Sequence, residues 1–269
     1  MKATVICILF CFLTAGCSNK NIVVMSYNIH TGKGIDGKLD LDRIASVILR
    51  EKPDIVGLNE IESYVDRSQC TNQIEYIAKK TNMYFAFGPN LIGNANCGNC
   101  TTGLFGNAVL SKHKISKVVN HKLYREDKEE TRGCLETEIE IDGQKFTFLT
   151  THLDCNRKED IRNNQANDIL KIIDEKDMPV IFASDMNAYI RTDGNDVENA
   201  AKIFTENLFD AANTNPELKN IGTLIKGKRI DFIFVNQPLA DSVVSYKVVN
   251  YGDAKFASDH YPVVAEIKK

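Results

Sequence analysis

The chain has 269 residues, of which 43% are hydrophobic and 26% are charged, and its formal net charge at pH 7 is −3. This composition has no low-complexity tract or charge block, so it excludes an intrinsically disordered chain and allows one large domain with a substantial core. The slightly acidic balance argues against a protein that holds DNA mainly by neutralising its phosphates, because such proteins usually carry a basic face.

The N-terminal residues are typical of an export signal. Lys2 precedes the apolar run VICILFCFLTAG, which is too short for a stable membrane span. LTAGC, ending at Cys17, is similar to a bacterial lipobox, and an ordinary signal peptide with a chance cysteine is the alternative. We therefore predict a lipoprotein signal peptide at 1–16, lipidation of Cys17, a tether at 17–21 and a domain at 22–269. The domain is expected to be lipid-anchored in a bacterial cell envelope, at the outer membrane or its periplasmic face. Cleavage would remove Lys2 and no acidic residue, which leaves 32 basic against 36 acidic residues and a net charge of −4.

Five cysteines follow Cys17, an odd number for an oxidising compartment: Cys70, Cys97, Cys100, Cys134 and Cys155. Cys97 and Cys100 could form half of a zinc site, but no second CxxC or paired histidine lies nearby. A disulfide across loops, for instance with Cys70, is the favoured interpretation, and the pairing stays open.

The predicted domain begins with a buried strand at 22–28, where apolar and β-branched residues run without interruption. Three glycines indicate a loop at 31–38. Apolar residues then recur at helical spacing over 41–48, with Asp40 as the expected N-cap. A strand at 54–59 follows, so the first unit is strand, loop, helix and parallel strand.

The middle of the chain favours a helix at 72–80, a strand at 84–87 and a long Gly- and Asn-rich loop at 88–103, a candidate rim of the site. Asp142 and Gly143 predict a two-residue hairpin turn. Further strands are predicted at 107–111, 114–123, 135–141 and 145–150.

Asn156 followed by Glu159 resembles a capping box ahead of a long helix. One face of that helix carries Ile161, Ala166, Ile169, Leu170 and Ile173. Strands at 179–183, 229–235, 242–248 and 261–267 complete the order. Two packed mixed β-sheets flanked by helices, a four-layer α/β (α+β) sandwich, account for it best.

Polar residues cluster where the apolar runs end or begin. They are Asn28, Glu60, His152, Asp185, Asn187, Asp231, Asp259 and His260. Carboxylates, amides and imidazoles hold hard divalent cations, orient water and receive phosphate oxygens. This assembly predicts metal-dependent hydrolysis of phosphoesters.

Six motifs resemble, in order, those of the endonuclease/exonuclease/phosphatase superfamily, which includes DNase I-like nucleases, apurinic endonucleases, neutral sphingomyelinases and inositol polyphosphate 5-phosphatases. They are NxH at 28–30, NE at 59–60, THL at 151–153, SDMN at 184–187, RID at 229–231 and SDHYPV at 258–263. The resemblance covers roughly residues 21–268 and implies a DNase I-like fold. Two departures from the usual motifs are Asn59, where many members have Gln, and SDMN in place of GDFN.

The resemblance also implies roles for individual residues. Mg²⁺, or Mn²⁺, would be held by Asn28, Glu60 and Asp259. The catalytic residues would be His152, Asp185, Asn187, Asp231 and His260. Asp185 would orient the attacking water and Asn187 would donate to a phosphate oxygen. His260, oriented by Asp231, would contact the scissile phosphate, and His152 would stabilise non-bridging oxygens or assist the leaving group.

Asn107 and Arg132 match positions that line the family's cleft, where they would bind substrate. Taken alone, several of these residues have plainer explanations. Glu60 could be a solvated strand-end residue, either histidine could be structural, and Arg132 could form a surface ion pair.

The leading functional hypothesis is a monomeric Mg²⁺-dependent phosphodiesterase or phosphatase of the cell envelope that acts on a lipid head group, a sugar phosphate or another small phosphoester. NIHTGKG, at 28–34, resembles the branch with sphingomyelinase-like members. An extracytoplasmic nuclease is the alternative. The acidic charge and the lack of Trp weigh against it, whereas a patch of Lys33, Lys38, Arg157 and Lys228 would favour it. A non-catalytic binding lipoprotein would require lost catalytic residues, and none is lost.

Overall fold

Twelve strands and five α-helices are present in the computed structural model, which describes residues 21–156, 158–190, 197–218, 221–225 and 227–269. The strands are β1 (Ile22–Asn28), β2 (Ile55–Ser63), β3 (Tyr84–Cys97), β4 (Cys100–Ser111), β5 (Ile115–Lys122), β6 (Gly133–Ile141), β7 (Gln144–His152), β8 (Val180–Ile190), β9 (Phe209–Asp210), β10 (Arg229–Val235), β11 (Val243–Val248) and β12 (Val263–Ile267). The helices are α1 (Leu41–Glu51), α2 (Gln73–Thr81), α3 (Glu159–Asp174), α4 (Asn199–Asn207) and α5 (Ala254–Ala257). Among these helices, none combines the length and apolar character needed to span a bilayer.

The strands form two six-stranded mixed sheets, in the orders β11-β12-β1-β2-β4-β3 and β5-β6-β7-β8-β10-β9. Each sheet has one parallel pair at its centre, β1 with β2 and β7 with β8, and antiparallel neighbours on both sides. The predicted parallel first unit is confirmed. Within each parallel pair, both strands end at the same edge of their sheet.

Three apolar layers hold the four-layer sandwich together. One lies between the sheets and includes Ile55, Val109, Phe148 and Ile181. A second joins the first sheet to α1 and α2, and a third joins the second sheet to α3 and α4. The third contains four packed phenylalanines, Phe182, Phe204, Phe232 and Phe234, with centroid separations of 5.2–6.0 Å between the contacting pairs. The predicted sandwich is therefore confirmed.

Local signals explain several element boundaries. The Asp40 carboxylate accepts a hydrogen bond from the Arg43 amide at 2.9 Å, so it caps α1 as predicted. Asp142 and Gly143 both have positive φ, +51° and +86°, as a tight turn between β6 and β7 requires. The predicted capping box is wrong. Helix α3 begins at Glu159, without a side-chain cap, because Asn156 instead donates its amide to Glu129.

The predicted loop at 88–103 is also wrong. Strands β3 and β4 run through it as one long hairpin that turns between Cys97 and Cys100. Glycine and asparagine obscured the strand pattern, because neither carries the apolar side chain on which that pattern depends. A disulfide joins Cys70 to Cys97, which confirms the disulfide interpretation and excludes Cys97 as a zinc ligand.

Some elements of the fold were not predicted from the sequence, and some predictions concern residues that the structure does not describe. Helix α4, helix α5 and the short strand β9 had no recognised signal, and β8 continues well past 183. The signal peptide, Cys17, tether residues 17–20, Arg157 and residues 191–196 lie outside the described residues. The predicted domain boundaries therefore stay predictions.

Candidate active site

The ends of the two central parallel pairs supply most of the predicted site residues. Asn28 ends β1, and its pair partner β2 carries Asn59 and Glu60. In the second sheet, His152 ends β7 and lies in register with Asp185 of β8. The two sheets pack face to face, so these four strands bring their polar residues to one end of the sandwich.

Two backbone irregularities aim side chains in this region. Glu60 has φ +59° and Asn187 has φ +47°, a left-handed conformation that is uncommon outside glycine. The register between β2 and β4 shifts between Leu58 and Ile61, which marks a β-bulge. Asp185 and Asn187 do reach the same cleft, but not through the extended backbone that the sequence suggested.

Asn28 connects the two sheets at the centre of the site. Its Nδ2 donates to Glu60 Oε1 at 3.0 Å and to Asp185 Oδ2 at 2.8 Å. Its Oδ1 accepts from the His30 backbone amide at 2.9 Å. Placed in this way, Asn28 is fully buried and orients two carboxylates, and its oxygen is already engaged by the protein.

A second buried amide, that of Asn59, holds Asp185 from its backbone side. Asn59 Nδ2 donates to Asn107 Oδ1 at 2.9 Å and to the Thr151 carbonyl at 3.0 Å, and Asn59 Oδ1 accepts from the Asp185 amide at 3.2 Å. Asn107 donates in turn to the Gly133 carbonyl at 3.0 Å. Asn107 is 1% exposed and is not among the residues that line the cleft, so the structure makes it a support for Asn59 rather than a substrate contact.

His260 and Asp231 form a buried pair opposite Asp185. His260 Nδ1 lies 2.9 Å from Asp231 Oδ2, while Nε2 lies 3.8 Å from Asp185 Oδ2 and 3.9 Å from Asp259 Oδ1. Burial by itself would lower the pKa of His260, but the carboxylates of Asp231 and Asp185 raise it to about 10. The imidazole is therefore positively charged at neutral pH.

The segment around this histidine is fixed by hydroxyl groups. Ser258 Oγ donates to the Asn28 carbonyl at 2.8 Å and accepts from the His260 amide at 3.1 Å. Thr223 Oγ1 accepts from the Asp231 amide at 3.0 Å. These contacts tie the SDH segment to the end of β1 and hold the His260–Asp231 pair in place.

His152, in contrast to His260, is uncharged at neutral pH. Burial lowers its pKa to about 3, with Arg132 and His260 acting in the same direction against Asp185. Its Nε2 lies 2.7 Å from Asn187 Nδ2 and 3.5 Å from Asp185 Oδ2. Because the amide nitrogen of Asn187 can only donate, the contact makes Nε2 an acceptor and places the ring proton on Nδ1.

These residues surround a cleft with a volume of about 420 Å³. The lining includes the predicted residues Glu60, Arg132, His152, Asp185, Asn187, Asp259 and His260. Asp231 lies behind His260. Arg132 bonds Glu130 at 2.9 Å and lies 3.5 Å from Cys155 Sγ, so the ion pair considered from sequence is formed at the edge of the cleft.

Several residues that line the cleft were not predicted from the sequence, namely Arg67, Leu91, Phe105, Glu130, Cys155, Leu224 and Ile230. Leu91 is in the segment that was interpreted as a loop, and Phe105 follows it in β4. Arg67 belongs to the short segment after β2 that the Cys70–Cys97 disulfide secures. Single-residue features of this kind have no periodic signal from which they could be found.

The charge balance of the cleft favours a bound cation. Four carboxylates line it, from Glu60, Glu130, Asp185 and Asp259, against the charged imidazole of His260 and the guanidinium groups of Arg132 and Arg67, the last of which is paired with Glu62. A phosphate group would be repelled by this excess of negative charge unless a cation offset it. The oxygen donors of Glu60 and Asp259 suit a hard divalent ion. Asp185, Asp231 and His260 form a second close cluster, with potential ligand atoms within 4.8 Å of one another, although Asp231 and His260 already bond each other.

Comparison with known proteins gives a consistent result. The sequence pattern of the endonuclease/exonuclease/phosphatase family matches residues 25–260. Sphingomyelinase C 1 of Leptospira interrogans is 30% identical in an alignment 168 residues long that covers 54% of this chain and 27% of that protein. The chain thus spans about a quarter of the length of the curated relative it matches.

Solved structures share the fold. An endonuclease/exonuclease/phosphatase from Beutenbergia cavernae superposes with a TM-score of 0.74 at 23% identity, covering 93% of this chain and 72% of that one. The mannosyl-6-phosphatase Bt3783 of Bacteroides thetaiotaomicron gives 0.70 at 18% identity, with coverage of 92% and 100%. Truncated Caenorhabditis elegans TDP2 gives 0.66 at 21% identity, with coverage of 93% and 98%.

Proposed function

Because the chain belongs to the endonuclease/exonuclease/phosphatase family, we propose that it is a Mg²⁺-dependent phosphodiesterase or phosphatase of the bacterial cell envelope. One observation carries the proposal. The Asp185 carboxylate is fixed by Asn28 and lies 3.5 Å and 3.8 Å from the Nε2 atoms of His152 and His260. A buried carboxylate between two imidazoles, in a cleft lined by further carboxylates, suits the activation of water for attack on phosphorus.

The residues of the cleft fit a divalent ion. Glu60 and Asp259 line it and Asn28 holds Glu60 in position, whereas the Glu130 carboxylate is paired with Arg132. Mg²⁺ is the preferred ion, with Mn²⁺ as the alternative, because the donors are oxygen atoms. When bound, the ion supplies positive charge to the phosphate and offsets the excess of carboxylates in the cleft.

The protein groups divide the remaining work. Asp185 accepts a proton from the attacking water, whose oxygen forms the new bond to phosphorus as the ester oxygen leaves. Charged His260 donates a hydrogen bond to a phosphate oxygen, and Asp231 fixes its ring through Nδ1. Asn187 Nδ2 donates to neutral His152 at 2.7 Å and to the Leu153 carbonyl at 3.0 Å, so it donates to a non-bridging oxygen when the substrate replaces one of these contacts. Arg132, 4% exposed, adds positive charge at the edge of the cleft.

Small or lipid-borne phosphoesters are the proposed substrates, in preference to duplex DNA. The similarity to a sphingomyelinase over 168 residues supports a lipid head group. Lys33, Lys38 and Lys228, which were considered as a nucleic-acid patch, are not among the residues that line the cleft, and Lys228 Nζ lies 4.0 Å from the ring centroid of Tyr189. An extracytoplasmic nuclease is the second candidate, and TDP2, which has been crystallised with a single-stranded DNA product, shares the fold.

A substrate panel tests the proposal. Purified residues 22–269 are assayed with Mg²⁺ on bis-p-nitrophenyl phosphate, sphingomyelin, inositol phosphates, plasmid DNA and RNA at ~0.15 M salt, where exposed charges are screened beyond about 8 Å. We expect hydrolysis of a small or lipid phosphoester that is lost after dialysis against EDTA and restored by Mg²⁺. Full activity after dialysis would contradict the metal requirement, and higher kcat/KM for DNA would favour the nuclease.

A further inference from the structure

A second, smaller cavity adjoins the active-site cleft. It has a volume of about 180 Å³ and lies between the β3–β4 hairpin and the segment that follows β2. Arg67, Leu91 and Phe105 border both spaces. We call this cavity the hairpin annex. A ligand whose phosphate occupies the cleft can therefore extend directly into it.

The lining of the hairpin annex is mainly apolar. Phe105 of β4 lies in register with Leu91 of β3, so their side chains share one face of the hairpin, and Val65 completes the apolar surface on that side. The Glu62 carboxylate at its base is paired with Arg67, so the base carries no net charge. Leu91 and Phe105 are both partly exposed to solvent. An apolar group that enters would remove this surface from water, which is favourable.

Two glycines keep the space open. Gly93 and Gly103 face each other in register across the hairpin, and both border the annex. A Cβ atom at Gly103 would lie 3.1 Å from Val65 Cγ2, whereas one at Gly93 would meet no heavy atom within 4 Å. Side chains of paired residues project to the same face of a sheet. Larger residues would therefore fill the annex, and glycine in a strand often marks such a close approach.

The annex is also held in shape before any ligand binds. The Cys70–Cys97 disulfide joins the end of the hairpin to the segment that carries Val65 and Arg67. The Asp66 carboxylate adds a hydrogen bond from the Asn96 amide at 2.9 Å. The two walls are thus connected covalently, and little ordering is required on binding.

From these observations we propose that the hairpin annex binds an apolar substituent, such as an alkyl chain, carried on an oxygen of the phosphoester substrate. The proposal rests on the proposed function, which places the phosphate in the cleft. It narrows the substrate class to phosphoesters with an apolar group close to phosphorus. The annex selects this group by burying it against Leu91, Phe105 and Val65.

Direct binding of a homologous series tests this assignment without requiring turnover. n-Alkylphosphonates from methyl to octyl are titrated into residues 22–269 with Mg²⁺ by isothermal calorimetry. We expect Kd to fall about fourfold for each of the first added methylenes, the factor that corresponds to ~0.8 kcal/mol per buried methylene. Equal Kd values along the series would overturn the proposal.

Variants of residues that line the annex test whether the dependence of Kd on chain length arises there. Gly93→Leu, which fills the annex, and the double variant Leu91→Ser/Phe105→Ser, which makes it polar, should each bring the ratio of methyl to octyl Kd close to one. Val118→Ser is the matched control, since Val118 is 51% exposed on β5 and does not line the annex. Thermal unfolding confirms that each variant is folded. An unchanged ratio in both folded annex variants would place the alkyl chain elsewhere and overturn the proposal.

The outcomes separate this proposal from the proposed function. Failure to bind any phosphonate, together with no hydrolysis in the substrate panel, would remove the proposed function and this inference with it. Hydrolysis in the substrate panel, together with Kd values that do not change along the alkylphosphonate series, would overturn the annex assignment and leave the proposed function intact. Tighter binding of thymidine 5′-phosphate than of octylphosphonate, lost in Gly93→Leu, would show that the annex holds a nucleobase and would likewise overturn the assignment.

Discussion

Replacement of Asp185 by Asn tests the proposed general base with the smallest change of shape. Both carboxylate oxygens of Asp185 accept hydrogen bonds, Oδ1 from the Asn187 amide at 2.9 Å and Oδ2 from Asn28 Nδ2 at 2.8 Å. An amide has one oxygen and one NH₂ group, so in either orientation it places a donor against a donor. The variant therefore loses one buried hydrogen bond in addition to the base.

The expected magnitudes follow from these contacts. A buried donor left without a partner costs about 1–3 kcal/mol, which for a chain of this size lowers Tm by roughly 2–10 °C. Removal of a general base lowers kcat by about 10²- to 10⁴-fold, and 10²-fold corresponds to ~2.7 kcal/mol of activation free energy. The catalytic loss should therefore far exceed what partial unfolding at the assay temperature can explain.

The assay measures kcat on the best substrate of the panel for the wild type, Asp185→Asn and Asn28→Ala, with Tm for each. Asn28→Ala is the matched control, because it removes the hydrogen bond to Asp185 Oδ2 but leaves the carboxylate. Its Tm should fall to a similar extent and its kcat less than in Asp185→Asn. A folded Asp185→Asn variant with turnover near that of the wild type would refute the assignment of the base.

Three further predictions concern other parts of the chain. His260→Ala should lower kcat by about 10²-fold or more, because it removes the hydrogen-bond donor to the phosphate. The control variant His113→Ala, which lies outside the cleft, should keep the kcat of the wild type. Equal effects of the two variants on kcat would contradict the role of His260. Burial alone would raise the pKa of Glu136, but hydrogen bonds from Lys176, His121 and Lys117 lower it to about 2. Its carboxylate therefore stabilises the fold above its unfolded pKa of about 4.3, and up to about 3 kcal/mol is lost as the pH falls towards 2. Urea unfolding between pH 2.5 and 6 should show a shallower decline for Glu136→Gln than for the wild type or the exposed control Glu140→Gln, and parallel curves would contradict this pairing. Cys17→Ala in the full-length chain should abolish metabolic labelling with palmitate, and label that persists on the variant would contradict lipidation at Cys17.

The sequence was sufficient for the central strands and for the residues at their ends. Buried central strands carry uninterrupted apolar runs, as in β1, β8 and β10, so their ends are easy to recognise. A polar residue at such an end stands out against the run before it. This contrast identified Asn28, His152 and Asp185, which the structure brings together.

The wall of the cleft could not be predicted in the same way. Hairpin β3–β4 is half exposed and rich in Gly and Asn, so neither alternation nor apolar content distinguishes it from a loop. The position of Arg67 depends on pairing between Cys70 and Cys97, which spacing alone does not determine. Asn107 was assigned to the substrate because it matches a position that lines the family's cleft, and its contacts with Asn59 and Gly133 join different strands and leave no local trace in the sequence.

The conformation of Glu60 shows why strand periodicity fails at the proposed metal site. Val56 and Leu58 pack in the layer between the first sheet and its helices, so a regular strand would aim Glu60 into the same apolar layer. The bulge sets Asn59 and Glu60 together opposite Asn107, after which Ile61 takes the next position in that layer. The left-handed backbone of Glu60 costs on the order of 1–3 kcal/mol. This conformation directs the carboxylate away from the helix-facing layer and into the cleft, and the strands on both sides keep their packing.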